Sequence, residues 1–217
     1  MSRPAIPLQT LRRLPLFLKY LKSLSPQETP SISATAIADA MGLNDVQVRK
    51  DLAAVSCGGR PKVGYNTRDL IHDLEHFLGC EDRTSAVLVG AGNLGRALLG
   101  YDGYAQYGLD IIAAFDGNPA VVGTSAHGRQ VLPIEKLQHL CQRLKIHIGI
   151  LAVTAQEAQP ACDALVAGGV LAIWNFSSAR LAVPPHVLVQ DENMAVSLLR
   201  LSRHLAQAAP ENQAMRG

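Results

Sequence analysis

The sequence predicts a chain of α/β class in two parts: a small, helix-rich front domain over residues 1–80 and a parallel-sheet domain over residues 81–217. Three observations predict it. Short helical patterns separated by turns fill the first 55 residues; from residue 86 onward apolar runs of strand length alternate with helical segments; and the first of those runs leads straight into "GAGNLG" and a further helix. Strands that alternate with helices imply a parallel sheet covered on both faces.

The front elements follow in order. "LPLFLKYLKSL" (14–24) places Leu14, Phe17, Leu18, Leu21 and Leu24 on one helical stripe, with Pro15 expected in the first turn. "SPQETPS" breaks it. "SATAIADAM" (33–41) is a second short helix with Ser33 as N-cap and Gly42 as its stop. "NDVQVRKDLAAV" (44–55), capped by Asn44 or Asp45, turns Val48, Leu52 and Val55 inward and leaves Gln47, Arg49 and Lys50 outward. Three short helices with a tight glycine turn before the third make a helix-turn-helix arrangement. "SCGGRPKVGY" then suits a hairpin tip carrying Arg60 and Lys62, the wing of a winged-helix domain. "TRDLIHDLEHFLG" (67–79) is a linking helix.

In the second part, "AVLVG", "DIIAAFD", "HIGILAV" and "VLAIWNF" are strands, separated by helices such as "IEKLQHLCQRL" and "AQEAQPACDALVAGG". A last strand near "HVLVQ" and a helix "NMAVSLLRLSRHLAQ" complete it. That helix has an apolar face of Met194, Val196, Leu198, Leu199, Leu201 and Leu205, wide enough to pack on more than its own sheet. The whole is a Rossmann-like domain.

Bulk properties narrow the function. The 217 residues are 48% hydrophobic and 18% charged, enough apolar material for a proper core. No run reaches the roughly 18 apolar residues of a membrane span, and the proline-interrupted N-terminus does not read as a signal peptide. The four cysteines (Cys57, Cys80, Cys141, Cys162) are scattered, which argues against a disulfide scaffold or thiolate zinc site and suits a cytoplasmic protein. Residues 1–64 hold nine bases against four acids, a net of +5 in a chain whose total is +2, so the remainder carries −3. Such asymmetry suggests a polyanionic partner for the front part alone. Double-stranded DNA fits, with Gln47, Arg49 and Lys50 on a groove-entering helix and Arg60 and Lys62 on the wing.

Gly90-Ala91-Gly92-Asn93-Leu94-Gly95 matches G-x-G-x-x-G. In that pattern the first glycine permits the tight turn, the second lets backbone approach a pyrophosphate, and the third lets helix close on strand. Asp116 ends the next strand about 20 residues on, where a ribose-binding carboxylate belongs, and no arginine follows it immediately, which favours NAD(H) over its 2′-phosphorylated form. Support for catalysis is thin. None of the five tyrosines has a lysine four residues on, and His72 and His76, four apart on one helix, show no third ligand for a metal. The nucleotide reads as a message and not a reagent. An NAD(H)-dependent oxidoreductase, and a DNA-binding protein whose second domain only dimerises, remain the alternatives.

Through "RLP", "QVRKDL", "VGYN", "VGAGNLGRALLGY", "AAFD", "AQ" within "VTAQEAQPACDALV", and "NF", almost the whole chain resembles the Rex family of redox-sensing transcriptional repressors. The resemblance implies a homodimer, formed partly by a swapped C-terminal helix, that binds a palindromic operator. It also implies that NADH releases the dimer while NAD⁺ competes for the same site. Carried over, Gly90 to Gly95 hold the pyrophosphate and Asp116 the adenosine ribose, with Thr154, Asn175, Phe176 and Tyr101 also at the cofactor. Arg13 and Tyr101 correspond to residues that, with an aspartate opening the last helix, report the reduced cofactor; Asn193 stands at that aspartate position. Val121 replaces a family lysine and Thr154 a family proline.

Overall fold

The structure, a computed structural model, describes residues 6–25, 27–80 and 83–192, and within the C-terminal helix residues 195, 196, 198, 199 and 201–205. The chain divides into two compact units, one of Met1–Arg83 with Ala105–Gly108, the other of Thr84–Tyr104 with Leu109–Gly217.

The first unit contains α1 (Leu8–Ser23), β1 (Ser31–Ile32), α2 (Ala34–Met41), α3 (Asp45–Ala53), β2 (Tyr65–Asn66) and α4 (Thr67–Leu78). Its core joins Leu14, Phe17, Leu18 and Leu21 of α1 to Ile37, Val48, Leu52, Leu70 and Leu74, all without solvent exposure. Each α1 residue on that list lies on the stripe read from the sequence. The start of α1 is different: it begins at Leu8, so Pro15 sits inside the helix and not in its first turn. Periodicity could not show this, because polar contacts hold the opening turns. Thr10 is buried and, with Arg13, bonds to Asp51 of α3.

The helix ends obey capping chemistry. Ser33 Oγ accepts the Ala36 N–H at 3.0 Å, and Asn44 Oδ1 accepts from Val46 N and Gln47 N, which settles Asn44 over Asp45 as the cap of α3. Asn66 caps α4 in the same way. After α3 the chain forms a small wing. The Arg60 and Gly64 backbones exchange hydrogen bonds of 2.8 and 2.9 Å, and Lys62 takes a left-handed φ of 64° at the tip. The segment 105–108 belongs to this unit through Lys22, whose Nζ donates to Gln106 O at 2.9 Å and pairs with Glu75 at 2.6 Å.

The second unit is a seven-stranded sheet in the order β5-β6-β4-β3-β7-β8-β9. The strands are β3 (Thr84–Val89), β4 (Leu109–Asp116), β5 (Ser125–Ala126), β6 (Arg129–Pro133), β7 (Ile148–Leu151), β8 (Ala172–Asn175) and β9 (Leu188–Asp191). All neighbours are parallel except the β5–β6 hairpin, which the sequence reading did not foresee. Side-chain alternation in β3 feeds two cores. Val87 and Val89 pack with Phe115, Leu137, Cys141 and Leu165 beneath α6 (Leu137–Leu144) and α7 (Ala155–Ala167). Ala86 and Leu88 pack with Ala114, Ile150 and Leu99 on the face of α5 (Asn93–Leu99). A 3-10 helix, Asp102–Tyr107, follows α5.

Candidate nucleotide cleft and nucleic-acid interface

β3 delivers the chain to Gly90 at the carboxyl edge of the sheet, where β3 lies between β4 and β7. Gly90 has a φ of 96°, and a Cβ there would run into Ala152 O, so no other residue fits. A Cβ on Gly95 would collide with Gly90 O, which is why α5 can close on the turn only with glycine. Gly92 differs: it caps α5 with φ −70°, and a Cβ added there meets no atom within 4 Å. The empty space beyond it opens into a cleft of about 540 Å³. This is the cradle a pyrophosphate requires, backbone with nothing in front of it.

Asp116, at the end of β4, holds the loop. Its Oδ2 accepts the Ala91 N–H at 2.8 Å and its Oδ1 the Asn118 N–H at 2.8 Å. Arg96 steadies the other side, donating to Ala91 O at 3.0 Å and Thr124 Oγ1 at 3.1 Å. Across the cleft, Thr154 begins α7, its N–H and hydroxyl both donating to Glu157 Oε2.

Of the expected cofactor residues, Gly90, Gly92, Asp116 and Thr154 line the cleft, as do the departures Val121 and Thr154 together. Ala91, Asn93, Leu94 and Gly95 form the turn and the first turn of α5 without lining it. Of the other expected residues, Phe176 and Tyr101 do not line the cleft, nor does Asn175. It is fully buried, its Nδ2 donates to Ala179 O and Asp191 Oδ1, and its Oδ1 accepts from Ser177 N and Oγ, so no group is left for a ligand. Phe176 stacks on Trp174 with ring centroids 4.6 Å apart, Trp174 meets Tyr104 edge-on, and Tyr104 meets Tyr101 edge-on at 4.9 Å. Burial raises the pKa of the Tyr104 phenol above its usual value, and neighbouring Tyr101 adds to that. The sequence reading missed Gly117, Asn118, Ile134, Gln156 and Glu157 in the cleft wall. Only Glu157 had a readable signal, the T-x-x-E of a capping box.

In the first unit α3 exposes Gln47, Arg49 and Lys50. Arg49 pairs with Asp45 in an exposed i, i+4 contact at 3.1 Å, too weak to hold it back from a stronger partner. Arg49, Arg60 and Lys62 line a hollow of about 570 Å³ with Ser33, Thr35 and Tyr65, so wing and α3 bring three cations to one surface. Burial raises the Tyr65 pKa against the lowering effect of Arg49. Arg13, expected in a redox-reporting trio, grips Asp51 with Nε at 2.6 Å and Nη2 at 3.0 Å. Burial pushes the Asp51 carboxyl up, but hydrogen bonds from Arg13, Thr10 and Gln47 outweigh it and hold the pKa below the usual value. No His, Cys, Asp and Glu grouping among the described residues could hold a metal ion.

Comparison with known proteins bears on both sites. Residues 5–53 match a family described as "Putative DNA-binding protein N-terminus", and residues 81–179 match the CoA binding domain family. The redox-sensing transcriptional repressor Rex of Porphyromonas gingivalis is 42% identical over 193 residues, 89% of this chain and 88% of the relative. This chain belongs to the Rex family. The Rex of Treponema denticola is 40% identical over 88% of this chain and 90% of its own. Among solved structures, RSP in complex with β-NAD⁺ and operator DNA superposes on this Rex chain with a TM-score of 0.89, at 31% identity and 97% coverage of both. RSP with β-NADH gives 0.84, at 31% identity, over 96% of this chain and 98% of its own. Of the three residues expected to report the reduced cofactor, Tyr101 is exposed, Arg13 is bound to Asp51, and Asn193 lies outside the described residues. Asp191 and Glu192, beside it in sequence, bond to Asn175 Nδ2 and Trp174 Nε1.

Proposed function

We propose that this Rex chain is a DNA-binding transcriptional repressor that reports the NADH/NAD⁺ balance. NADH in the glycine-lined cleft releases a homodimer from a palindromic operator; NAD⁺ competes for the cleft and leaves DNA binding possible. The observation that carries this reading is the likeness, along 97% of the chain, to a repressor crystallised with both β-NAD⁺ and operator DNA.

The residues suit the roles. The Gly90–Gly92 backbone and the start of α5 would hold the pyrophosphate, Asp116 the adenosine ribose, and Thr154 with Glu157 the opposite wall. The exposed Gln47, Arg49 and Lys50 would enter a major groove, with Arg60 and Lys62 on the flanking phosphates. Two domains, 1–80 and 81–217, divide these tasks. Leu198, Leu199, Leu201 and Leu205 all stand exposed on the C-terminal helix, an apolar face suited to a second copy of the chain. The protein is not an enzyme, a reading supported by relatives named as transcriptional repressors. The scattered free cysteines suit a cytoplasmic location. Among the described residues no helix is long and apolar enough to cross a membrane.

Coupling of about 1–3 kcal/mol per site is typical of allostery, and two sites on one dimer would nearly empty the operator. The test is a gel shift on an inverted-repeat duplex titrated separately with NADH and NAD⁺. Release by NADH at concentrations where NAD⁺ leaves the complex in place is the expected result; equal retention with both would overturn the sensor reading.

A further inference from the structure

Asp51 is an unusual residue to find on a helix whose exposed side is basic. Its side chain is 1% exposed and takes four hydrogen bonds. Three come from α1: Thr10 Oγ1 at 2.9 Å, Arg13 Nε at 2.6 Å and Arg13 Nη2 at 3.0 Å. The fourth comes from Gln47 Nε2 at 2.9 Å, one helical turn earlier on α3 itself. The carboxylate is therefore placed by the packing of α1 on α3, and Gln47, whose body is exposed, leans on it.

The chemistry of that contact sets a direction. An ionised carboxylate only accepts hydrogen bonds, whereas a glutamine amide donates from Nε2 and accepts at Oε1. The two ends of an amide are interchangeable in shape but not here, because turning Oε1 toward Asp51 would set oxygen against oxygen. Asp51 thus ties one Nε2 hydrogen of Gln47 inward and fixes which way the amide faces, leaving Oε1 and the second Nε2 hydrogen side by side for an outside partner, a pair that adenine meets with N6 to donate and N7 to accept. In the major groove, adenine N6 and cytosine N4 offer donors, while the exposed atoms of guanine and the O4 of thymine only accept.

Resting on the reading of α3 as the DNA-contacting helix, we infer that Asp51 is a positioning residue for base readout: it locks the Gln47 amide so that each half-site is selected for an A·T pair, against G·C, at one position. Arg13 and Thr10 serve the same end by fixing Asp51. Arg49, whose pair with Asp45 is exposed, and Lys50 supply attraction and not this choice.

The experiment is selection from a library of inverted-repeat duplexes randomised in both half-sites, using the full chain, Gln47→Met and Asp51→Asn. Gln47→Met keeps length and removes the amide. Asp51→Asn keeps volume but can both donate and accept, so either end of Gln47 can face it. The expected result is one position per half-site where the parent prefers an A·T pair over G·C by about tenfold or more. Both variants should reduce that preference to within about threefold, with the remaining positions and the salt dependence of binding unchanged. A merely structural role for Asp51 would instead weaken every position together. The inference is overturned if the position relaxed by Gln47→Met is a G·C pair in the parent, if Gln47→Met relaxes none, or if a folded Asp51→Asn keeps the parent's preference. Should Asp51→Asn not fold, the base at the Gln47→Met position decides alone. A parent chain that selects no duplex at all removes the repressor reading itself, an outcome distinct from the others.

Discussion

Replacing Gly92 by alanine is expected to leave the fold intact and damage the ligand site, while the same change at Gly95 is expected to destabilise the fold itself. Gly92 has φ −70° and ψ −166°, a conformation open to any L-residue, and its added Cβ would meet nothing within 4 Å. Lower freedom in the unfolded chain favours alanine by about 0.4–1 kcal/mol. Loss of a tolerated cap residue at the start of α5 costs a similar amount, roughly 0.5–1 kcal/mol. The two offset, so Tm should stay within about 4 °C of the parent. The methyl group, however, stands where the pyrophosphate must approach, and a tenfold or greater loss of NADH affinity is expected. At NADH 100-fold above the parent's Kd the ligand stabilises the parent by about 2.7 kcal/mol; a tenfold weaker variant gains only about 1.4 kcal/mol. The NADH-induced rise in Tm is then roughly halved. At Gly95 the Cβ meets the backbone oxygen of Gly90, which cannot swing aside, and Leu88 Cδ2 at 3.1 Å. Overpacking of this kind costs about 3 kcal/mol, or a Tm lower by roughly 6–12 °C without ligand. Thermal unfolding with and without NADH, with calorimetry for affinity, reads both. A Gly92→Ala protein that binds NADH within about twofold of the parent would refute the placement of the pyrophosphate against this loop.

Three further outcomes are open to measurement. Arg49→Ala, which removes only an exposed pair with Asp45, should change stability by less than about 0.5 kcal/mol. If Arg49 contacts phosphate in both protomers, the slope of log affinity against log salt should flatten by about 2; an unchanged slope removes Arg49 from the phosphate contacts. Asp51 has its folded pKa held below the usual carboxylate value. Its contribution is therefore complete above that value and lost as pH falls through the folded pKa. Asp51→Ala should cost about 3 kcal/mol at pH 7 and much less in strong acid, by urea unfolding at each pH; a cost independent of pH would show that the carboxylate charge is not what matters. Finally, Leu198→Glu with Leu201→Glu should convert a dimer to a monomer in light scattering. A variant that stays dimeric places the interface elsewhere.

How much of this was legible beforehand depends on what held each element. Apolar stripes are a repeated local pattern, so Leu14, Phe17, Leu18 and Leu21 were readable as a buried face, and the strand runs around Val87 and Phe115 as sheet. The glycine turn was readable because glycine is required where φ is positive or where backbone crowds backbone, and both occur here, at Gly90 and Gly95. The first turns of α1 were not readable, since a buried Thr10 and an Arg13–Asp51 pair hold them in place of a stripe. The short β5–β6 hairpin was missed because strands of two and five residues leave too little alternation to see.

Chain order and composition by themselves determined a basic helical front, a glycine-lined strand-to-helix turn and an aspartate a strand away, because each is a matter of local spacing. Only the tertiary structure decided which polar groups are already bonded within the protein. Asn175 has no bond left for a nucleotide, Arg13 and Asp51 bind each other, and Gln47 has one end of its amide tied inward. The physical reason is that a hydrogen bond between residues 38 or 41 positions apart, as from Arg13 and Thr10 to Asp51, depends on how two helices pack and leaves no trace in the spacing of either.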